Sequence, residues 1–255
     1  MGYPKDLLST RAIIDHGRWA LIPPEGRVNN SIPPFPHQDC RVSVLADPRM
    51  GASFAFYTVE FKPGGKTEKP MQKDGIESFV YCRAGQGVIT VDGKAYELVP
   101  GAYIYAPASC AVGFENTGAG NWSLLLYKQR YKPLEGYSTY VVTGNLNEMP
   151  DQPYDGMESV RVRDLLPNEL GFDFNIHTLK FYPDGMHPFV ETHVQEHGIY
   201  FLEGEGMYLL DDQWLPVKAD DFVWFGSYVP QACYCIGRGP VYYIYSKDMN
   251  RDVEL

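Results

Sequence analysis

The sequence is poor in cysteine, in clustered positive charge and in long apolar runs, and each shortage excludes a class of protein. Five cysteines without a C-x-x-C pair exclude a disulfide scaffold and argue against a structural zinc site. The 22 Lys and Arg against 32 Asp and Glu give a net charge of −10, which argues against nucleic acid or a membrane surface as partner. No apolar run is long enough to cross a bilayer, and the N-terminus has no apolar signal core, so we expect a cytoplasmic protein.

Glycine, proline and aromatic residues are abundant instead. The 255 residues include 25 Gly and 20 Pro, and 14% are aromatic. This composition favours short strands and tight turns over long helices. The chain is also long enough to bury a substantial core, as one large domain or two smaller ones.

A repeat divides the chain in two. The stretches "GASFAFYTVEFKPGG" (51–65) and "GFDFNIHTLKFYPDG" (171–185) share Gly, Phe, Thr, Phe, Pro and Gly at identical spacing. Residues 81–107 and 200–226 share a second pattern of predicted elements: a strand, a Gly-x-Gly turn and further short strands. Evenly spaced short strands between Gly, Pro and Asp turns predict a small barrel or jelly roll in each half.

The repeat predicts an all-β chain of four segments. We expect an N-terminal arm over 1–45 and a first barrel over 46–130. A connector over 131–164 then leads to a second barrel over 165–255.

The stretch "ETHVQEHG" (191–198) has two incompatible interpretations. HVQEH matches the H-x-x-E-H pattern of inverted zinc peptidases, in which His193 and His197 lie one turn apart on a helix and Glu196 is the base. Prolines and glycines flank the motif, however, and both disfavour a helix interior. We therefore interpret the stretch as a strand, a short bend and the start of the next strand. Glu191 and His193 then project to one face, and His197 can face the same interior.

In this second interpretation, the spacing resembles the first motif of the cupin family, whose usual ligands are His, His and Glu. Here the order is Glu191, His193, His197. Gln231, in "DDFVWFGSYVPQ", falls at the position of the usual fourth ligand, a histidine. A carboxylate, two imidazoles and an amide oxygen form a hard donor set that favours Mn(II), with Fe(II) as second choice. The alternative is that both histidines are ordinary core residues.

The first barrel provides an internal comparison. The same spacing there gives Met71, Lys73, Ser78 and Val112, of which only serine can bind a metal, and weakly. We expect this barrel to be free of metal.

Three residues of the last strand, "VYYIYSKD", share one face: Tyr243, Tyr245 and Lys247. If that face points inward, a cation and two phenols converge near the metal, which suits a small anionic substrate. The alternative is a surface lysine at a strand end beside packed tyrosines. Tyr208, after a Gly-x-Gly turn, could also reach inward.

From end to end the chain resembles the (S)-ureidoglycine aminohydrolase family of bicupins. The resemblance is carried by "DLLSTRAIIDHGRWAL", "LLPNELGFD", "ETHVQEHG" and "YSKD" followed by "NRDVEL". It implies hydrolytic release of ammonia from ureidoglycine to leave (S)-ureidoglycolate, in allantoin degradation, by a homo-oligomer. It also implies Mn(II) bound by Glu191, His193, His197 and Gln231.

The same resemblance implies the residues that contact the anionic ureide. These are Glu191, Gln231, Tyr243 and Lys247, with Tyr208 nearby. We expect Lys247 to pair with the substrate carboxylate, the metal to activate water, and a carboxylate such as Glu191 to accept a proton.

Two other functions suit the same fold, because cupins host many activities. One is an Fe(II) dioxygenase or an isomerase acting on a small carboxylate. The other is a small-ligand-binding protein without catalytic activity. Metal analysis and oxygen dependence would separate the first from a hydrolase, and absence of turnover would identify the second.

Overall fold

The structure is a computed structural model that describes residues 10–30 and 34–248. Residues 1–9 and 31–33 of the predicted arm, and the C-terminal stretch 249–255 with "NRDVEL", lie outside the described residues.

Strands dominate the described residues. In the first part of the chain they are β1 (Ile13–Asp15), β2 (Trp19–Ile22), β3 (His37–Ala46), β4 (Phe54–Thr67), β5 (Ile76–Ala84), β6 (Gly87–Val91), β7 (Lys94–Leu98), β8 (Ala102–Ala106), β9 (Val112–Glu115), β10 (Trp122–Arg130) and β11 (Val142–Asn145). In the second part they are β12 (Gln152–Tyr154), β13 (Met157–Asp164), β14 (Phe174–Phe181), β15 (His197–Glu203), β16 (Glu205–Leu210), β17 (Gln213–Lys218), β18 (Phe222–Phe225), β19 (Gln231–Cys235) and β20 (Val241–Asp248). Two 3₁₀ turns, Pro24–Gly26 and Leu146–Glu148, accompany them.

The strands form two compact units. The N-terminal unit consists of Val28–Pro48 and Ser53–Met149. Among the described residues, the C-terminal unit consists of the segment up to Arg27, the short segment Arg49–Ala52 and the segment that begins at Pro150.

These bounds differ from the predicted segments because the outer strands of each sheet come from distant parts of the sequence. β3, placed in the arm by the sequence, pairs with β4 and belongs to the N-terminal unit. β12 and β13, placed in the connector, pair with each other, and β13 also pairs with β14 in the C-terminal unit. β2 pairs with β18. Each pairing satisfies the backbone groups of a sheet edge that would otherwise stay open.

The sequence repeat is a repeat of strand order. In the N-terminal unit β8, β5, β10 and β4 are successive neighbours, and in the C-terminal unit β18, β15, β20 and β14 follow in the same order. The strands β7, β6 and β9 likewise correspond to β17, β16 and β19. The predicted all-β bicupin fold is confirmed.

The core of the C-terminal unit is built by alternate residues of its strands, as strand geometry requires. On the central strands β14, β15 and β20, the inward residues are Leu179, Phe181, Ile199, Phe201, Tyr243 and Tyr245. Continuing the alternation toward one end of the barrel makes His177, His197 and Lys247 inward-facing as well. Polar side chains therefore meet where the apolar core ends.

Two further features of the structure concern cysteines and helices. All five cysteines are free thiols, and Cys82 and Cys233 are buried. Across residues 10–30 and 34–248, no helix has the length and apolar content needed to cross a membrane.

The tight turn between β15 and β16 depends on Gly204. Its φ is +77°, in the left-handed region, and a Cβ built there would overlap the carbonyl oxygen of Pro240. The left-handed φ alone costs a non-glycine residue about 1–3 kcal/mol, and the overlap adds to that cost. We therefore expect Gly204→Ala to lower the free energy of unfolding by at least that amount in chemical denaturation.

Gly239→Ala is the matched control, because a Cβ there meets no atom within 4 Å and the backbone is not left-handed. We expect it to change stability by less than about 1 kcal/mol. Equal effects of the two substitutions would contradict the assignment of Gly204 as an obligatory glycine.

Candidate metal and substrate site

Two backbone hydrogen bonds join Glu191 to Gln231. The Glu191 N–H donates to the Gln231 carbonyl at 2.8 Å, and the Gln231 N–H donates to the Glu191 carbonyl at 2.9 Å. This isolated antiparallel bridge sets the two side chains next to each other on one face. Residues 192–196 form an irregular connection rather than a helix, and His197 begins β15. The zinc-peptidase interpretation, which requires a helix here, is excluded.

The two imidazoles are oriented by backbone carbonyls. Nδ1 of His193 lies 2.9 Å from the carbonyl oxygen of Gln195, and Nδ1 of His197 lies 2.8 Å from that of Glu196. A carbonyl can only accept, so the hydrogen of each neutral ring sits on Nδ1 and the lone pair on Nε2. Burial lowers the pKa of His193 and lowers that of His197 well below its ordinary value, so both rings are neutral at pH 7. The ring centroids are 4.9 Å apart.

A chain of hydrogen bonds orients the carboxylate and the amide. The Tyr154 hydroxyl donates to Oε1 of Glu191 at 3.0 Å, and Nε2 of Gln231 donates to Oε2 at 2.5 Å. The Tyr208 hydroxyl donates to Oε1 of Gln231 at 2.7 Å. Burial raises the pKa of Tyr208 well above its ordinary value, so this phenol remains a donor. The four polar side chains therefore support one another in a largely buried position.

The four predicted ligand residues fit a hard divalent cation by their chemistry. Together they supply two imidazole Nε2 lone pairs, one carboxylate and one amide oxygen. Within the described ranges, no three His, Cys, Asp or Glu side chains are close enough to hold a metal as they stand. The Glu191 carboxylate is hydrogen-bonded to Gln231, so binding an ion requires Glu191 to exchange that hydrogen bond for the cation.

The N-terminal unit has the same backbone bridge with different side chains. Met71 and Val112 are joined by two backbone hydrogen bonds of 2.6 and 2.8 Å, at the repeat positions of Glu191 and Gln231. A thioether and an aliphatic group cannot serve as hard ligands. The expectation that this barrel is free of metal rests on these two side chains.

An open pocket of about 460 Å³ lies over the candidate ligands in the C-terminal unit. Its charged and ionisable lining includes Asp164, His177, Glu191, His193, His197 and Lys247. Lys247 is paired with His197 across β20 and β15, and both side chains face inward. The lysine of the last strand is therefore a pocket residue and not a surface lysine.

The remaining predicted substrate residues lie deeper. A cavity of about 20 Å³ beneath the pocket is lined by residues that include Tyr208, Gln231 and Tyr243. Glu191 lines both spaces, whereas Lys247 lines only the outer pocket. Of the residues predicted to contact substrate, Glu191 and Lys247 therefore reach the open pocket. Gln231, Tyr243 and Tyr208 form its inner floor.

Sequence reasoning missed four ionisable residues that line the pocket or the cavity beneath it. Tyr154 and Asp164 lie in the segment interpreted as a connector. His177 could have been found by continuing the alternation of β14 outward from Leu179. His187 is 3% exposed, and its Nδ1 accepts from the Cys233 N–H at 3.2 Å. No sequence pattern signals its inward position.

Comparison with known proteins agrees with the fold and covers the whole chain. The Cupin domain family matches residues 57–126, within the N-terminal unit. The chain is 45% identical over 255 residues to (S)-ureidoglycine aminohydrolase of Escherichia coli (strain K12), covering 100% of this chain and 97% of the relative. It is 30% identical to (S)-ureidoglycine aminohydrolase of Arabidopsis thaliana, covering 91% of this chain and 76% of the relative. The crystal structure of protein Ylba from E. coli superposes with a TM-score of 0.87 at 42% identity, covering 100% of both chains.

The ligand assignment makes a prediction about metal affinity. Replacing His197 with alanine removes one nitrogen donor without altering the backbone bridge. Changes to residues around a metal's direct ligands already cost 10–100-fold in affinity, so we expect His197→Ala to weaken Mn(II) binding by more than about 100-fold. Titration of the free Mn(II) signal by electron paramagnetic resonance measures this change.

His16→Ala is the matched control, because His16 is exposed in the same unit and far in sequence from the motif. We expect its Mn(II) affinity to equal that of the parent protein. If His197→Ala bound Mn(II) as tightly as His16→Ala, the assignment of His197 as a ligand would be wrong.

Proposed function

The chain belongs to the (S)-ureidoglycine aminohydrolase family, and we propose from that premise that it hydrolyses (S)-ureidoglycine to (S)-ureidoglycolate and ammonia in allantoin catabolism, with Mn(II) as cofactor. The sequence support is identity along the whole chain to relatives named for this activity. The structural observation that carries the proposal is one pocket whose lining includes Glu191, the imidazoles of His193 and His197, and Lys247. Such a pocket offers both cation ligands and a partner for a substrate carboxylate.

In this proposal Glu191, His193, His197 and Gln231 hold the metal. Their donor atoms are harder than those of a structural zinc site, which makes Mn(II) the first choice and Fe(II) the second. Mn(II), when bound, supplies a Lewis acid that polarises the groups brought to it.

The residues around the ligands have separate tasks. Lys247 pairs with the substrate carboxylate through a charge-assisted hydrogen bond. Glu191 is the second catalytic residue and contacts both substrate and attacking water. Because Glu191 binds the cation and also accepts a hydrogen bond from Tyr154, it orients the water rather than taking its proton.

The inner floor orients the reacting carbon. Ureidoglycine carries an amine and a ureido group on that carbon, and the ureido nitrogen already weakens the bond to the amine. The protein must therefore chiefly orient the substrate and determine which face of the reacting carbon water attacks. We assign Gln231 and Tyr243 to substrate contact from below, with Tyr208 holding the Gln231 amide.

The setting of the enzyme is also part of the proposal. Five free thiols suit a reducing compartment, which supports the cytoplasm as its location. The family suggests that it works as a homo-oligomer.

The activity itself is tested with freshly generated (S)-ureidoglycine. We expect the purified protein with Mn(II) to release ammonia faster than a protein-free control and to form the (S) product, and removal of Mn(II) by a chelator to abolish the difference. Excluding oxygen should not change the rate. Ammonia release no faster than the control would contradict the proposed function, and a requirement for oxygen would indicate a dioxygenase.

The task of Lys247 makes a kinetic prediction. A charge-assisted hydrogen bond contributes about 1.5–3 kcal/mol, so we expect Lys247→Ala to lower kcat/KM by roughly 10–150-fold, with a raised KM. Lys218→Ala is the control, since Lys218 is an exposed lysine of the same unit outside the pocket. Steady-state kinetics indistinguishable between the two variants would refute the pairing of Lys247 with the carboxylate.

A further inference from the structure

An Asp–His pair lines the same pocket beside the candidate metal ligands. Asp164 at the end of β13 lies directly opposite His177 on β14. Nδ1 of His177 is 2.5 Å from Oδ1 of Asp164. The imidazole also stacks on Tyr245, with centroids 5.4 Å apart and an angle of 26° between the rings. Two neighbours therefore hold this ring in one orientation at the pocket wall.

The partner of Nδ1 determines which nitrogen of His177 can accept a proton. The hydrogen bond from His177 lowers the pKa of Asp164, so this carboxyl is ionised at neutral pH and can only accept. The ring hydrogen therefore sits on Nδ1, and Nε2 carries the lone pair. Nε2 is buried and has no hydrogen-bond partner within the described part of the chain. A buried polar atom without a partner calls for one, which a substrate or water hydrogen can supply.

The hydrolysis needs a group that accepts a proton from water, and the other ionisable residues of the pocket are already engaged. Both ligand imidazoles have Nδ1 tied to backbone carbonyls and Nε2 assigned to the metal. Glu191 is assigned to the metal and accepts a hydrogen bond from Tyr154. Burial raises the pKa of Tyr154 and Tyr245, so neither phenol loses its proton near neutral pH. Lys247 is assigned to the substrate carboxylate.

We propose that His177, oriented by Asp164, is the proton carrier of the reaction. This inference rests on the proposed function. The bond from the reacting carbon to the protonated amine breaks first: the electron pair of the ureido nitrogen forms a C=N bond to that carbon, and the amine leaves as ammonia. Water then adds to the carbon, the C=N electron pair returns to nitrogen, and one water proton moves to Nε2 of His177. The same proton then passes from Nε2 to the departing ammonia, so the carbon keeps a hydroxyl and His177 returns to its neutral state. Asp164 is a positioning residue that stabilises the imidazolium between the two transfers.

The test compares His177→Gln and Asp164→Asn with the Mn(II)-loaded parent enzyme. General acid–base catalysis typically contributes 10²–10⁴-fold. We expect His177→Gln to lower kcat by at least about 100-fold with KM within threefold and Mn(II) binding unchanged. The pH profile of kcat should differ in shape from that of the parent, and added imidazole should restore part of the activity of His177→Gly. A structural role would produce neither of these two effects.

Asp164→Asn keeps the proposal testable should His177→Gln fold poorly, because the Asp164 side chain is 60% exposed. We expect it to lower kcat by at least about tenfold, and the double variant to be no slower than His177→Gln, since both changes affect one function. Asp212→Asn, an exposed aspartate of the same unit outside the pocket, is the control and should match the parent. The inference would be wrong if the parent is active and the kcat of Asp164→Asn and of any folded His177 variant stays within threefold of the parent's kcat. An inactive parent would instead overturn the proposed function.

Discussion

The site depends on one backbone interaction, the pair of hydrogen bonds between Glu191 and Gln231. This bridge places Glu191, just before the irregular connection, beside Gln231, the first residue of β19. The Glu191 carboxylate and the Gln231 amide therefore lie together. The N-terminal unit makes the same bridge with Met71 and Val112. The repeated barrel thus provides the same backbone bridge in both units. The side chains of Glu191 and Gln231 have hard donor atoms, whereas those of Met71 and Val112 do not.

Polar groups can occupy this position because each one is oriented by another. Tyr154, Gln231 and Tyr208 form a hydrogen-bonded chain around the Glu191 carboxylate. His193 and His197, the two histidines proposed as ligands, are kept neutral by burial, with their hydrogens directed to backbone carbonyls. Lys247 brings a cation into a pocket that also contains two carboxylates. The arrangement places side chains whose chemistry suits a cation beside a lysine whose charge suits an anion.

Sequence reasoning predicted the fold because it is expressed locally, and the candidate site remains a prediction drawn from the same local patterns. The sequence repeat predicts the same order of strands in both units. The Pro and Gly residues that flank the HVQEH motif argue against a helix there. The motif spacing predicted Glu191 and Gln231 as metal ligands, and the structure joins their backbones in an isolated bridge. Strand alternation in "VYYIYSKD" identified the shared face of Tyr243, Tyr245 and Lys247, although only the structure shows that this face points inward.

What sequence reasoning missed depends on pairing between distant segments. The partners of β3 and β13 are distant in sequence and cannot be read from local pattern, so the compact units do not follow the predicted arm and connector. Tyr154 and Asp164 reach the pocket only through that pairing. Glu191 lies in an isolated backbone bridge to Gln231 instead of in the predicted strand.

The most direct test of the metal assignment is pulsed electron paramagnetic resonance of the Mn(II) complex prepared with ¹⁵N-labelled histidine. Two imidazole nitrogens bound directly to the ion, from His193 and His197, predict two resolved ¹⁵N couplings in the parent protein and one in His193→Ala. A Mn(II) spectrum without any ¹⁵N coupling would contradict the proposal that the four side chains converge on one cation.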